Sequence, residues 1–219
     1  ELTLLTTSRE PLGVPGEVTY QVPSLSLDDE ATELFSDRAR RVRPGFTVSG
    51  ENSAAVTEIC RRLDCMPLAI ELAAARVRAL SAEEIVASLH DRFRLLTGGA
   101  RTAVRRQQTL RASVDWSHAL LTDAERAVFR RLAVFVGGFD LDAAQAVTGD
   151  TEVERYQVLD QLGLLVDKSL VVAENDCGTS RYRLLETMRQ YALEKLSESG
   201  ESVAVRDRHR DHFTRLAAM

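Results

Sequence analysis

The stretch EVERYQVLDQLGLLVDKSLVVAENDCGTSRYRLLE, Glu152–Glu186, decides the fold of the second half of the chain. Its first part has apolar residues at helical spacing, which predicts a helix. The buried side of that helix is expected to be Val158, Leu159, Leu162, Leu165 and Val166. The segments SLVVAE and RYRLLE then flank the turn-forming NDCGTS, and they predict a two-stranded hairpin.

The segments on either side of this stretch predict further helices. TLRASVDWSHALL, TDAERAVFRRLAVFVGGF and LDAAQAVTG precede it, and TMRQYALEKLSESG follows it. Thr122 stands three residues before Glu125, which is the spacing of a capping box. Gly137 and Gly138 are expected to end the second of these helices, and Gly200 the last. Three helices followed by a hairpin are in the order of a winged-helix domain.

The first half of the chain begins with apolar, β-branched sequence and then becomes helical. Leu2–Ser8 and Val18–Val22 are predicted strands, and a helix is expected to begin at Ser26. Helices are predicted at about Asn52–Leu63 and Leu68–Arg78, and after Ser81, which forms a second capping box with Glu84. Leu95–Arg111 then contains two glycines and four arginines with no acidic residue, which predicts a linker at a domain boundary. This basic linker could contact nucleic acid or phosphate, but a solvated connector is the favoured interpretation.

Composition and charge disfavour several functional classes. The 219 residues are 44% hydrophobic with a net charge of −5, which is not typical of a nucleic-acid binder. The helix that would enter a DNA groove carries, with its flanks, Arg155 and Lys168 against Glu154, Asp160 and Asp167. A recognition helix needs a positive rim facing the phosphates, so DNA binding by this unit is disfavoured.

The three cysteines, Cys60, Cys65 and Cys177, are sparse and lack CxxC spacing, which favours reduced thiols in a cytoplasmic protein. No membrane-length apolar run and no signal peptide are seen. The histidines of His209–His212 have no suitably spaced metal-ligand partners, so no metal site is predicted. The chain opens on Glu1 within strand-like sequence, and we expect it to be a piece of a longer protein.

Two short segments are candidate binding sites. Thr7-Ser8-Arg9 ends a predicted strand, where a guanidinium could bind phosphate at a sheet edge; the alternative is a surface arginine. In Cys65-Met66-Pro67-Leu68 the proline starts a helix, and it could offer a flat apolar surface to a ring. From these residues alone, a plain helix start with core behind it is favoured.

Four segments occur in an order that resembles a known family: LLTTSREPLGVPGE, ICRRLDCMPLAIELAAARVRALS, TLRASVDWSHALLTDAERAVFRRLAVFVGGFDLDAAQAV and YRLLETMRQYALEKLSESGE. Together they resemble the C-terminal part of the NB-ARC-type STAND ATPase region of actinobacterial transcriptional regulators of the LuxR and SARP (AfsR-like) types. The resemblance covers essentially the whole chain.

The resemblance implies a fold that is mainly α with minor β. Residues 1–26 would be the terminal strands of a P-loop α/β core, 27–96 a helical lid bundle, and 97–108 the basic linker. The winged-helix subdomain would span 109–200, and a helical sensor region would begin at 201–219.

The same resemblance implies a nucleotide site. Arg9, with Ser8, would read the terminal phosphate, and Met66, Pro67 and Leu68 would contact adenine. ADP or ATP with Mg²⁺ would be the cofactor of the full-length protein, a STAND-type ATPase. The Walker A and Walker B segments do not occur in these residues, so no catalytic residue is assigned and the piece alone is expected to be inactive.

Two further departures from the family pattern concern single motifs. Cys65 stands where the turn usually has glycine, which puts the tightness of that turn in doubt. Leu184-Leu185-Glu186 stands where many relatives have Met-His-Asp, which puts a histidine-locked ADP state in doubt.

The implied function is an ADP/ATP-dependent regulatory switch in a signal-transducing transcriptional regulator. Its partners would be the nucleotide, its own N-terminal P-loop core, and other proteins or further copies of itself. DNA would be bound only through other domains, and no membrane contact is expected. Two alternatives stay open: a DNA-binding winged-helix transcription factor, or a protein-binding scaffold with a degenerate nucleotide site.

Overall fold

A computed structural model describes residues 4–8, 11–20, 22–91, 95–96, 110–149, 155–176 and 179–218. The chain is mainly helical and divides into two compact units. One unit comprises residues 22–120, and the other comprises residues 1–21 together with 121–219. No helix within the described ranges is long and apolar enough to cross a membrane.

The unit of residues 22–120 is mainly helical where the structure describes it. The α-helices described there are α1 (Thr32–Val42), α2 (Ser53–Arg62), α3 (Pro67–Ala74), α4 (Ala82–Ser88) and α5 (Leu110–Ala119). A π-helical turn, Leu27–Ala31, leads into α1, and 3₁₀ turns follow α3 at Ala75–Arg78 and α4 at Leu89–Asp91. The largest fully buried side chains of this unit include Phe35, Ile59, Leu63, Ile70 and Ile85. The structure groups α5 with these helices, whereas the resemblance implies that residues from 109 onward belong to the winged-helix subdomain.

The helix starts were predictable because side chains satisfy the free N–H groups of each first turn. The capping box of Ser81 and Glu84 is confirmed at the start of α4. At the predicted start after Ser26, the Ser26 Oγ accepts from the Glu30 N–H at 3.3 Å, and the Glu30 carboxylate accepts from the Ser26 N–H at 2.9 Å. The partners are four residues apart there because the first turn is π-helical.

The other unit contains helices α6 (Asp123–Arg131), α7 (Leu141–Thr148) and α8 (Arg155–Asp167), followed by strands β1 (Val172–Asp176) and β2 (Thr179–Arg183). Helices α9 (Glu186–Glu198) and α10 (Ser202–Ala217) complete it. The strands pair antiparallel, with Val172 opposite Arg183. The predicted order of three helices and a hairpin is therefore confirmed.

A third extended segment, missed in the sequence, lies beside the hairpin. The Phe139 N–H donates to the Tyr182 carbonyl at 2.8 Å, and the Tyr182 N–H donates back to the Phe139 carbonyl at 2.8 Å. The Phe139 ring stacks on Phe135 with their centroids 4.5 Å apart. A single bridging residue has no period-2 pattern, so nothing in the sequence marks it as a strand.

The two predicted N-terminal strands are not formed in the described residues. Residues 4–8, 11–20 and 22–26 have no regular secondary structure, and Leu4, Leu5, Val18, Tyr20 and Val22 are exposed. A strand needs a neighbour for its backbone groups, and the described strands pair only with each other and with Phe139. The prediction over Leu2–Ser8 and Val18–Val22 is therefore wrong where the structure describes it.

Two predictions within the winged helix also need correction. The helix that was expected to run to Gly137 ends at Arg131 and tightens into a 3₁₀ turn, Leu132–Val134, before an extended Phe135. Leu159, which was predicted on the buried side of α8, has 44% of its surface exposed. Val158, Leu162 and Leu165 are buried as predicted.

The turn between α9 and α10 is fixed to α6 by one carboxylate. Arg130 Nε donates to one oxygen of Glu201 and an Arg131 guanidinium N–H donates to the other, both at 2.6 Å. Burial opposes ionisation of Glu201, but the two guanidinium groups outweigh it and lower its pKa to about 2. Because the folded-state pKa lies below the ordinary 4.5, the contribution to stability is present above pH 4.5 and is lost as the pH falls towards 2.

We expect Glu201→Gln to lower the free energy of unfolding by about 2 kcal/mol at pH 7, since it leaves two half-buried arginines without their carboxylate. The difference from the unaltered chain should shrink between pH 4.5 and 2. Urea unfolding followed by circular dichroism measures both. As a control, Glu198→Gln removes an exposed partner of Lys195 and should cost less than about 0.5 kcal/mol. Equal effects of the two substitutions at pH 7 would contradict this assignment.

Candidate functional site

Helices α6, α7 and α8 with the β1–β2 hairpin place α8 where a winged helix-turn-helix presents its recognition helix. Val158, Leu162 and Leu165 turn one side of α8 into the core. The opposite side is exposed and consists of Tyr156, Gln157, Leu159, Asp160, Gly163, Leu164 and Asp167. Residues 156–167 contain no Lys or Arg, so this face has an apolar and acidic character.

The lysine that follows α8 is used inside the fold. Lys168 Nζ lies 2.5 Å from Glu125 Oε1, and the Glu125 residue is fully buried. The other oxygen of Glu125 accepts from the Thr122 N–H at 2.6 Å and thereby closes the predicted capping box of α6. Burial alone would raise the pKa of Glu125, but the bonds from Lys168 and Thr122 together lower it. Lys168 therefore acts as a structural cation.

The arginines of the hairpin are also engaged by neighbouring groups. An Arg181 guanidinium N–H donates to the Gly138 carbonyl at 2.8 Å, and Arg183 Nε donates to Glu174 Oε1 at 2.6 Å. Both guanidinium groups nevertheless lie at the surface, where a phosphate could compete for them. Across residues 121–197, acidic residues outnumber basic ones by 13 to 9. The hairpin thus presents two surface guanidinium groups in a domain that is acidic as a whole.

The second candidate site, the turn at the start of α3, is tight. After α2 the chain passes through two left-handed residues, Asp64 with φ 55° and Cys65 with φ 52°. The Cys65 N–H donates to the Cys60 carbonyl at 3.0 Å, and the Cys65 carbonyl accepts from the Leu25 N–H at 3.2 Å. The turn is therefore tight even though cysteine, and not glycine, occupies its left-handed position.

This turn sets the surroundings of three predicted site residues. Met66 is extended, with φ −77° and ψ 120°, and Pro67 is the first residue of α3. Pro67 is exposed, and Met66 and Leu68 are half-buried. The pyrrolidine ring thus lies on the surface at the start of a buried helix. A plain helix start and a contact with a ligand ring both require that arrangement.

Of the two residues predicted to read the terminal phosphate, Ser8 lies within the described residues. Ser8 is exposed and lies in a segment without regular structure. Arg9 and the linker 97–108 lie outside the described residues. Ser8 belongs to the unit of residues 121–219 and 1–21, whereas Met66, Pro67 and Leu68 belong to the unit of residues 22–120. The assignment of these residues to one nucleotide site stays a prediction.

The geometry of α6 to β2 defines a winged helix-turn-helix domain. Residues 121–197 match the family described as a winged helix-turn-helix domain, which agrees with the described elements. The chain therefore contains such a domain within a mainly helical fold.

The chain is also similar to several longer mycobacterial proteins. Rv0890c of Mycobacterium tuberculosis, whose name proposes an HTH-type transcriptional regulator, is 65% identical over 218 residues, which are 100% of this chain and 25% of that protein. Mb0914c of Mycobacterium bovis has a name of the same kind and the same identity and coverage. Rv0894 of Mycobacterium tuberculosis, an uncharacterized protein, is 60% identical over 213 residues, 97% of this chain and 54% of its own length. The chain thus spans from a quarter to about half of these relatives.

We expect Cys65→Gly to stabilise the unit of residues 22–120 relative to Cys65→Ala by about 1 kcal/mol. Both substitutions remove the thiol, but only glycine adopts φ 52° without a steric penalty. Urea unfolding of the two variants gives the difference directly. An alanine variant at least as stable as the glycine variant would show that the left-handed turn is not maintained in solution.

Proposed function

We propose that this chain is a regulatory part of a transcriptional regulator. The observation that carries the proposal is the winged helix-turn-helix domain at residues 121–197, within a chain that is 65% identical to a protein named as an HTH-type regulator. These findings support a DNA-binding regulator, an alternative in the sequence analysis, more directly than a nucleotide-dependent switch. Since the chain spans 25% of that relative, the activity of the whole protein is part of the proposal.

Direct DNA contact by this domain is a second candidate function, favoured by the family match. In that case Arg181 and Arg183 would contact the phosphates with the hairpin, as a wing does. Both already have protein acceptors, Gly138 and Glu174, which phosphates would have to replace.

We further propose that a nucleotide switches such a regulator between two states. Following the resemblance of the sequence, ADP or ATP with Mg²⁺ would bind between this chain and the P-loop core of the full-length protein. Arg9 and Ser8 would face the phosphates, and Met66, Pro67 and Leu68 would face adenine. An exposed proline on a tight, hydrogen-bonded turn supports this proposal because it offers an apolar surface to a ring.

We expect the full-length protein that contains this chain to be enriched at discrete chromosomal sites, and transcripts beside those sites to change when it is removed. Chromatin immunoprecipitation with sequencing and transcript profiling measure the two effects. If neither appears, the proposal that it is a transcriptional regulator is wrong.

The enriched sites then serve to test whether the winged-helix domain itself contacts DNA or whether another part of the protein does. If the wing contacts DNA, the double variant Arg181→Ala, Arg183→Ala should bind the enriched sites at least tenfold more weakly in a salt-titrated anisotropy assay. Arg210→Ala is the control for loss of a surface arginine elsewhere in the chain, since Arg210 lies exposed on α10 and pairs with Asp207 and Asp211. Equal affinities of the two variants would exclude the wing as a DNA contact.

We expect Pro67→Ala to raise the Kd of the full-length protein for ADP about fivefold, through the loss of roughly 1 kcal/mol of apolar contact. Isothermal titration calorimetry with ADP and Mg²⁺ measures it. Pro44→Ala is the control because Pro44 is an exposed loop proline in the same unit. Failure of the unaltered protein to bind ADP or ATP would contradict the switch but leave the regulator proposal intact.

A further inference from the structure

The exposed face of α8 has a defined pattern across its width. At 100° per residue, Tyr156, Asp160, Gly163 and Asp167 follow one another along the middle of the face. Leu159 lies on one side of this row and Leu164 on the other, with 44% and 43% of their surfaces exposed. The Tyr156 side chain is 58% exposed at the start of the row. The face thus carries three large apolar side chains around two carboxylates.

This pattern does not suit a DNA groove. Asp160 and Asp167 occupy the middle of the face, where they would approach the phosphates and the acceptor atoms of the bases. Residues 156–167 supply no cation to offset them, and Lys168 is held by the buried Glu125. DNA entering here would therefore have to be bound against like charge.

The face does suit a protein segment of complementary chemistry. Leu159, Leu164 and Tyr156 are the kind of side chains that anchor a partner, and the two carboxylates select for Lys or Arg between the partner's own apolar residues. Gly163 adds an independent observation, because a Cβ built on it meets no atom within 4 Å. Glycine inside a helix is less favourable than alanine, and no neighbour in the described fold requires it here. A close approach of a partner backbone would require it.

We propose that this face of α8 is a docking surface for a basic amphipathic segment of the same regulator that lies outside residues 1–219. The proposal rests on the proposed function, in which the chain is part of a longer regulator. The source of the segment follows from length: the chain spans 25% of the relative Rv0890c, so a regulator of that size has most of its residues available as an internal partner. Docking would hold the winged-helix domain against another part of the protein.

Photo-crosslinking in the full-length protein tests this contact. A benzophenone amino acid replaces Leu164, and mass spectrometry identifies the peptide that is crosslinked. We expect a peptide of the same polypeptide, outside residues 1–219, with apolar residues and Lys or Arg at helical spacing. The double variant Asp160→Lys, Asp167→Lys should reduce the crosslink at least tenfold. Glu198→Lys, a single charge reversal on α9, should leave it unchanged.

Gly163→Ala gives a second measurement that does not depend on impaired folding. In the chain 1–219 it should raise the midpoint of thermal unfolding, because alanine favours the helix. In the full-length protein it should nevertheless weaken the crosslink severalfold, because the added methyl group obstructs the partner backbone. A folding defect would instead lower both values.

Each of the other outcomes overturns the proposal. These are a crosslink to added duplex DNA, a crosslink to a different protein, a crosslink that survives the charge reversal, or no crosslink. A crosslink to DNA would also identify α8 as a recognition helix and would support the second candidate function. If the unaltered protein shows no chromosomal enrichment but does form the internal crosslink, the regulator proposal alone is refuted. Failure of the docking proposal and failure of the regulator proposal are therefore distinguishable.

Discussion

The buried carboxylate of Glu125 is the interaction on which the winged helix-turn-helix domain depends. One oxygen closes the capping box at the start of α6, and the other binds Lys168 just after α8. Replacing Lys168 by a neutral residue would leave the buried carboxylate uncompensated, which typically costs about 3–5 kcal/mol. The same carboxylate thereby fixes where α6 begins and where α8 ends. Ser169 then reverses the chain at φ 56° and leads it into the buried Leu170 and Val171.

This constraint bears on how the domain can act. A cation that holds the end of α8 from inside the fold is not available to a phosphate backbone outside it. The same holds for Arg130 and Arg131, which bind Glu201, and Arg131 also donates to the Thr148 carbonyl at the end of α7. These three cations therefore stabilise helix ends and turns. The order of helices and strands identifies a winged helix-turn-helix domain, but the placement of charge decides what it can contact.

Much of the fold could be predicted because its signals are local. Ser26, Ser81 and Thr122 cap helices where the sequence predicts them, since a capping residue and its partner lie within one helical turn. The N-terminal strands could not be predicted reliably, because a strand depends on a neighbour that local sequence does not reveal. The pairing of Phe139 with Tyr182 joins residues far apart in the chain and was missed for the same reason. Of the predicted nucleotide-site residues, only the setting of Met66, Pro67 and Leu68 on their turn is described in detail.

The error at Leu159 has a physical meaning of its own. Helical periodicity reports which side chains avoid water, but it does not report what covers them. On α8 the apolar residues extend beyond the arc that faces the core, so Leu159 and Leu164 remain exposed while Val158, Leu162 and Leu165 are buried. A helix that served only its own fold would need apolar residues only on the inner arc. The excess apolar width on α8, together with Gly163 in the middle of the exposed face, is the surface that the proposed docking contact would cover.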